Sequence, residues 1–306
     1  MIELRSSLHG LWLSLITPFR NGALDEPSLR RMARHYACLD INGLIVAGTT
    51  GESLTLEPGE IETLVFTVAE EARLSRDLPV CLGLGGSNTA ALLDRLATTA
   101  RWPIDGYLIS CPSYSRPSQR GLELHFGALA DRAEHPILLY NIPYRTGVNL
   151  GNDAMLRLAA HPNIVGVKDC CDDRGQSIDL LRRRPENFAV LTGEDTQYME
   201  ALSDGADGGV LASAHVETDT FAQVHRLVAS GQRHAASACW QSVADLTRLL
   251  FSEPNPAPIK YWLARTGLIE SAELRLPMTE VSDQLAARID QEITRRLHPA
   301  GLVNVR

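Results

Sequence analysis

Lysine occurs at only two of the 306 positions, Lys168 and Lys260, although lysine and arginine together number 29. Arginine stays charged at any accessible pH, whereas a desolvated lysine can lose its proton and act as a nucleophile. Lys168 closes the apolar run Ile164-Val165-Gly166-Val167 and is followed by Asp169. The run reads as a short buried strand with the lysine at its C-terminal end. Alternate residues of a strand share a face, which places Val165 and Val167 on one side and Ile164, Gly166 and Lys168 on the other. Gly166 would then leave space beneath the lysine stem. The chemistry that fits is a Schiff base between Lys168 and a carbonyl substrate. The competing reading is a solvated lysine at a strand end, the usual place for this residue type.

Other polar groups stand at comparable places. Gly48-Thr49-Thr50-Gly51-Glu52-Ser53 follows an apolar run and offers two hydroxyls and closely approachable backbone amides, which suit a carboxylate. It lacks the Gly-Lys-Ser/Thr ending of a phosphate loop, so a nucleotide is not indicated; a purely structural turn is the alternative. Tyr140 ends another run and could move a proton beside the lysine, or could be an amphipathic core residue. Arg145 could fork onto a second carboxylate or form a surface salt bridge. Thr192-Gly193-Glu194-Asp195 carries two acids without a histidine or cysteine partner at metal-ligand spacing. A solvated turn or a supporting role fits these acids better than a metal site.

The elements that must hold these groups repeat in a regular order. Strands are predicted at 11–16, 43–47, 80–84, 106–109, 136–140, 164–168, 188–191 and 208–211. Helices open at Pro27 and Pro58, follow Asn88 as N-cap, and recur at 117–130, 152–159, 177–183, 196–202 and 218–229. The strands are short and almost wholly apolar, as a parallel sheet covered on both faces requires. Eight strand–helix units predict an α/β fold, a TIM (β/α)8 barrel, in preference to an open doubly wound sheet. Helical patterns at 234–251, 258–266 and 282–296 predict a C-terminal three-helix appendage. The expected division is a barrel carrying the active site at 1–230 and a helical domain at 231–306. Barrel active sites lie at the C-terminal ends of the strands, where Thr49, Thr50, Tyr114, Tyr140, Arg145, Lys168, Gly193 and Leu211 all fall.

A net charge of −8 and the absence of a long basic run argue against nucleic acid and anionic membrane surfaces as partners. No apolar stretch reaches membrane-spanning length. The six cysteines are scattered without metal-ligand spacing, and Cys170-Cys171 is not a CxxC pair. Buried cysteine as a small apolar filler is the plain reading of that pair. Scattered thiols and no recognisable leader lead to an expectation of a reducing cytoplasm.

Gly48-Thr49-Thr50-Gly51-Glu52-Ser53, Tyr140-Asn141-Ile142-Pro143 and Gly166-Val167-Lys168-Asp169 together resemble the signature blocks of the dihydrodipicolinate synthase/N-acetylneuraminate lyase family. Thr17-Pro18, the run from Glu253 to Lys260, and Leu274-Arg275-Leu276-Pro277-Met278 extend the resemblance over essentially the whole chain. Arg145-Thr146-Gly147 and the loop from Tyr114 to Gln119 lean toward the dihydrodipicolinate synthase branch. The resemblance implies a pyruvate-dependent class I aldolase on a TIM barrel. Lys168 would form the imine with pyruvate, and Tyr140 would relay protons. Thr50 would connect Tyr140 to Tyr114, which in this family reaches over from the neighbouring subunit. Thr49 and Thr50 would hold the pyruvate carboxylate with the backbone near Leu211, Arg145 would hold the carboxylate of aspartate semialdehyde, and Gly193 would wall the site. Free lysine titrates near ~10.4 and burial favours the neutral amine. The imine acts as an electron sink, the enamine attacks an aldehyde, and neither a metal nor another cofactor is required.

The implied assembly is a homo-oligomer, a dimer or a tetramer. Lysine-inhibited members bind the inhibitor with asparagine, glutamate, histidine and tyrosine. The corresponding positions here are Ser87, Ala91, Ile61 and Ser113, so little or no lysine inhibition is expected. Two other readings compete with a synthase that joins pyruvate to aspartate semialdehyde. One is another lyase, or a 2-oxo acid dehydratase or deaminase, of the same family; the other is a non-catalytic paralogue. Arg145 favours the synthase over sugar-acid enzymes, and the intact Lys168, Tyr140, Tyr114, Thr49 and Thr50 argue against a paralogue without activity.

Overall fold

The computed structural model describes residues 4–297. Eight parallel strands close a barrel: β1 (Gly10–Ser14), β2 (Gly43–Val46), β3 (Val80–Leu84), β4 (Gly106–Ser110), β5 (Ile137–Asn141), β6 (Ile164–Asp169), β7 (Ala189–Thr192) and β8 (Gly208–Leu211). Each strand pairs with its sequence neighbours, and β1 closes the ring by pairing with both β2 and β8. Eight helices wrap it: α1 (Glu26–Ala37), α2 (Pro58–Ser75), α3 (Thr89–Thr99), α4 (Gln119–Ala130), α5 (Asn152–Ala159), α6 (Arg174–Arg183), α7 (Tyr198–Asp204) and α8 (Thr218–Ala229). This is a TIM barrel.

Local sequence accounts for the helix starts. Asp25 caps α1 by accepting from Ser28 N, with Pro27 in the first turn. Asn88 caps α3 by accepting from Ala90 N and Ala91 N. Three short pieces carry no sequence periodicity and were not anticipated: a helical turn at Leu4–Ser7, a hairpin pairing Phe19–Arg20 with Ala23–Leu24, and a turn at Pro143–Thr146.

The buried apolar residues form two shells. Trp12, Ile45, Cys81, Leu108, Leu138, Val165, Leu191 and Val210 fill the barrel, and Leu4 and Leu8 plug its lower end. The Trp12 indole donates to Ser7 O at 3.0 Å and ties this plug in place. The second shell lies between strands and helices and includes Leu11, Leu13, Ile164, Val167 and Leu211.

The facing predicted for β6 is corrected here. Its register against β5 shifts, pairing Ile137 with Ile164 but Leu138 with Gly166, so Val165 is an inserted residue. The bulge sends Val165 into the barrel while Val167 packs outside it. Gly166 makes no room for the lysine either. A Cβ there would meet Ala189 O at 2.5 Å, so this glycine permits the close approach of β7.

After α8 come α9 (Arg233–Leu250), α10 (Ala257–Arg265) and α11 (Asp283–Leu297), the C-terminal three-helix appendage. Trp240 of α9 packs edge-on against Tyr198 of α7 and Phe221 of α8, which seats α9 on the barrel. The last part of the expected helical domain, residues 298–306, lies outside the described residues. Among the described residues no helix is long and apolar enough to cross a membrane.

Candidate active site

The upper ends of β5 and β6 bring Tyr140 and Lys168 together as direct cross-strand partners. Lys168 is 6% exposed, so the solvated alternative does not hold, and its Nζ lies 4.5 Å from the centre of the Tyr140 ring. Burial pushes the Tyr140 phenol well above its ordinary range, and a hydrogen bond with the Thr49 side chain acts in the opposite sense. The phenol is therefore neutral at physiological pH and can donate a proton. The space the lysine stem needs comes from the end of β7. A Cβ on Gly193 would stand 2.4 Å from Lys168 Cε, 2.9 Å from Lys168 Cγ and 2.4 Å from Cys170 Sγ.

The turn after β2 brings Thr49 and Thr50 to the same end of the barrel. Thr49 is exposed and Thr50 is 4% exposed. Thr50 Oγ1 accepts from Asn255 Nδ2 at 3.0 Å, a contact across 205 residues that sequence spacing could not reveal. Arg145 is exposed on the Pro143–Thr146 turn, with its guanidinium 5.7 Å from the Tyr144 ring centre. Leu211 turns its side chain into the outer shell and leaves only backbone for the mouth. Tyr114 is not brought to the other groups. It is 97% exposed, with φ +69°, and points into solvent from the loop after β4.

Four further groups support the site, and sequence reasoning had weighed a supporting role only for Glu194 and Asp195, as one of two alternatives. Glu194 accepts from Tyr144 Oη at 3.0 Å. Burial raises its carboxyl above the usual range, and hydrogen bonds from Cys170 and Tyr144 oppose that rise. Burial also pushes the Cys170 thiol well up, so it stays protonated. Asp195 is no solvated turn residue. It is 5% exposed, and one oxygen accepts from Ala212 N at 2.8 Å, Ser213 N at 2.6 Å and Ser213 Oγ at 2.7 Å, fixing the backbone just past Leu211. His215 continues that frame: its Nε2 accepts from Ile16 N at 3.2 Å, so its proton sits on Nδ1, which donates to Ala212 O at 2.7 Å. Alternation of acid and apolar residues gives no warning of these contacts, because each partner lies on a different strand end. Among the described residues no three His, Cys, Asp or Glu side chains are grouped to hold a metal ion.

The sequence profile described as the Dihydrodipicolinate synthetase family matches residues 7–296. The chain belongs to that family. It is 41% identical over 284 residues to the 4-hydroxy-tetrahydrodipicolinate synthase 2 of Clostridium acetobutylicum, covering 93% of this chain and 99% of the relative. It is 33% identical over 297 residues to the 4-hydroxy-tetrahydrodipicolinate synthase of Porphyromonas gingivalis, covering 95% and 99%. Among solved structures it is similar to the dihydrodipicolinate synthase of Aquifex aeolicus, with a TM-score of 0.90 and 31% identity over 95% of this chain and 98% of that one. The 4-hydroxy-tetrahydrodipicolinate synthase of Methylacidiphilum fumariolicum SolV gives 0.90 and 34%, covering 95% and 96%. This family fold accounts for a buried lysine, a neighbouring tyrosine and a threonine turn converging from three strands at one end of the barrel.

Proposed function

We propose that the chain is a Schiff-base-forming lyase that condenses pyruvate with L-aspartate 4-semialdehyde, the 4-hydroxy-tetrahydrodipicolinate synthase reaction of lysine and diaminopimelate biosynthesis. The observation that carries this reading is the buried Lys168 amine held over the Tyr140 ring at the barrel mouth. Lys168 Nζ adds to the pyruvate carbonyl carbon. The carbinolamine oxygen takes a proton from the neutral Tyr140 phenol and leaves as water, and the imine forms. The pyruvate methyl then gives a proton back to the Tyr140 oxygen, and the enamine attacks the aldehyde carbon, whose oxygen takes that proton as the new C–C bond forms. Thr49 and Thr50 hold the pyruvate carboxylate with backbone near Leu211. Gly193 walls the site beside the lysine stem. Arg145 receives the second carboxylate; among the described residues no carboxylate pairs with it. The covalent imine serves as the electron sink, with no further cofactor.

Tyr114, projecting from the rim, completes the proton relay of a neighbouring copy, so the active form is a homo-oligomer of two or four chains. Of the described residues, those up to 230 form the catalytic barrel and those from 231 the helical unit on it, and the enzyme works in the cytoplasm. Ser87 Oγ donates to Ser113 O at 2.7 Å, and with Ala91 and Ile61 at the other two positions no acidic or aromatic side chain is available there for free lysine.

The test is turnover of pyruvate and aspartate semialdehyde, with product followed by reductase-coupled NADPH oxidation. Product that depends on both substrates, and is unaffected by millimolar lysine, is expected. Turnover of a sugar acid or hydroxyproline-derived 2-oxo acid instead would move the chain to another branch of the family.

A further inference from the structure

Both lysines of this arginine-rich chain are buried, yet only one faces the barrel mouth. Lys260 lies on α10 and is 0% exposed. Its Nζ donates to Glu52 Oε1 at 2.5 Å and to Glu273 O at 2.8 Å. The second Glu52 oxygen, Oε2, accepts from Arg275 N at 3.1 Å. The Lys260 ammonium and the Arg275 guanidinium share the Phe19 ring, at 4.2 and 4.3 Å from its centre.

Glu52 belongs to the turn that carries Thr49 and Thr50. It has φ +52° and ψ +37°, a left-handed conformation that a residue with a Cβ rarely adopts. Within the turn, Glu52 N donates to Thr49 O at 3.0 Å and Ser53 N to Gly48 O at 3.3 Å. From outside, Thr17 Oγ1 donates to Gly51 O at 2.8 Å and Asn255 Nδ2 to Thr50 Oγ1 at 3.0 Å. Glu52 is thus the point where the C-terminal helices grip the turn by charge. Removing one partner of a buried ion pair leaves the other charge uncompensated, which forces it to move or to neutralise.

We propose that Glu52 and Lys260 are a positioning pair, through which the C-terminal helices hold the Gly48–Ser53 turn in the shape that binds the pyruvate carboxylate. This rests on the reading of Thr49 and Thr50 as the carboxylate ligands. Burial lowers the Lys260 amine to about 8, against the pull of Glu52 and Glu273 and with the push of Arg275. These are the charged groups that face it; Phe19, from the hairpin, contributes only its ring. The pair therefore weakens as pH rises through that value.

The experiment is steady-state kinetics on the full chain for the wild type, Lys260→Met, Glu52→Gln, the double variant and Thr49→Val, with folding checked by circular dichroism and melting. Lys260→Met should raise the pyruvate KM about tenfold, as expected when a binding group shifts by a fraction of an ångström, and leave the semialdehyde KM within about twofold. The double variant, in which neither charge is buried alone, should recover part of that loss. The wild-type pyruvate KM should climb between about pH 7 and 9, and this climb should be absent in Lys260→Met. Should Lys260→Met not fold, Glu52→Gln takes its place in the comparison. A pyruvate KM within about twofold of wild type in a folded Lys260→Met, or in Glu52→Gln where Lys260→Met does not fold, with Thr49→Val impaired, overturns the positioning pair alone. An unchanged KM in Thr49→Val removes the carboxylate reading, and the pair falls with it.

Discussion

Replacing Gly193 with alanine should disable the lysine while leaving the barrel intact. The added Cβ would meet Lys168 Cε and Cys170 Sγ at 2.4 Å and Lys168 Cγ at 2.9 Å. Ordinary carbon contacts lie at about 3.5–4.0 Å, so the lysine stem must retreat by roughly 1 Å or leave its rotamer. An off-rotamer side chain costs about 0.5–1.5 kcal/mol, which the fold can absorb. Catalysis is less tolerant, because a misplacement of about 1 Å can lower a rate by ~100-fold, or about 2.7 kcal/mol of transition-state stabilisation. The lysine cannot simply swing away, since β7 packs along β6 through Gly166 against Ala189 O, and Tyr140 occupies the other side. The assay is kcat/KM for pyruvate alongside the rate of borohydride-trapped adduct formation and the melting temperature. A drop of about 100-fold in both rates, with melting shifted by only a few degrees, is expected. A Gly193→Ala enzyme with more than half of wild-type kcat/KM would refute the view that this glycine makes room for the nucleophile.

Other consequences follow from the same geometry. Tyr140→Phe removes the neutral phenol and should lower kcat by about 10²–10⁴-fold, with pyruvate adduct still detectable after long incubation; an unchanged kcat would exclude Tyr140 from proton transfer. Arg145→Ala should raise the semialdehyde KM by about 10–100-fold through loss of a charge-assisted contact, with the pyruvate KM nearly constant. His215 gives a pH dependence of stability. Burial lowers it from 6.5 to about 4, so below pH 6.5 the unfolded chain takes up a proton that the folded chain refuses. Its contribution is complete above pH 6.5 and is lost as pH falls toward 4, to a total of about 3 kcal/mol. Denaturant unfolding between pH 7 and 4.5 should cost His215→Gln less stability than it costs the wild type; equal losses would contradict the buried neutral imidazole.

The barrel was legible because its strands are apolar throughout and its helices begin at recognisable signals such as Pro27, Pro58 and Asn88. Lys168 and Tyr140 were legible because a strand end in a barrel is a site position, and lysine is rare in this chain. The inward and outward faces of β6 were not, since an inserted residue at Val165 reverses the alternation that period-two reasoning assumes. The glycine that makes room for the lysine is Gly193, just past the neighbouring strand, and not Gly166 within the same one. Asn255 on Thr50 and Lys260 on Glu52 are joined across more than two hundred residues, and nothing local in either segment encodes that meeting. Asp195 was left between a solvated turn and a supporting role, and the local sequence could not decide because its three donors come from the end of β8. Tyr114 remains apart from the other groups in a single chain, 97% exposed on the loop after β4.

The most direct measurement is imine trapping: incubate the protein with pyruvate and sodium borohydride, digest it, and map the modified peptide by mass spectrometry. With only two lysines to distinguish, the result is unambiguous. A reduced pyruvate adduct on Lys168, absent in Lys168→Ala, is the expected result. No adduct, or an adduct confined to Lys260, would contradict a Schiff-base mechanism at the barrel mouth.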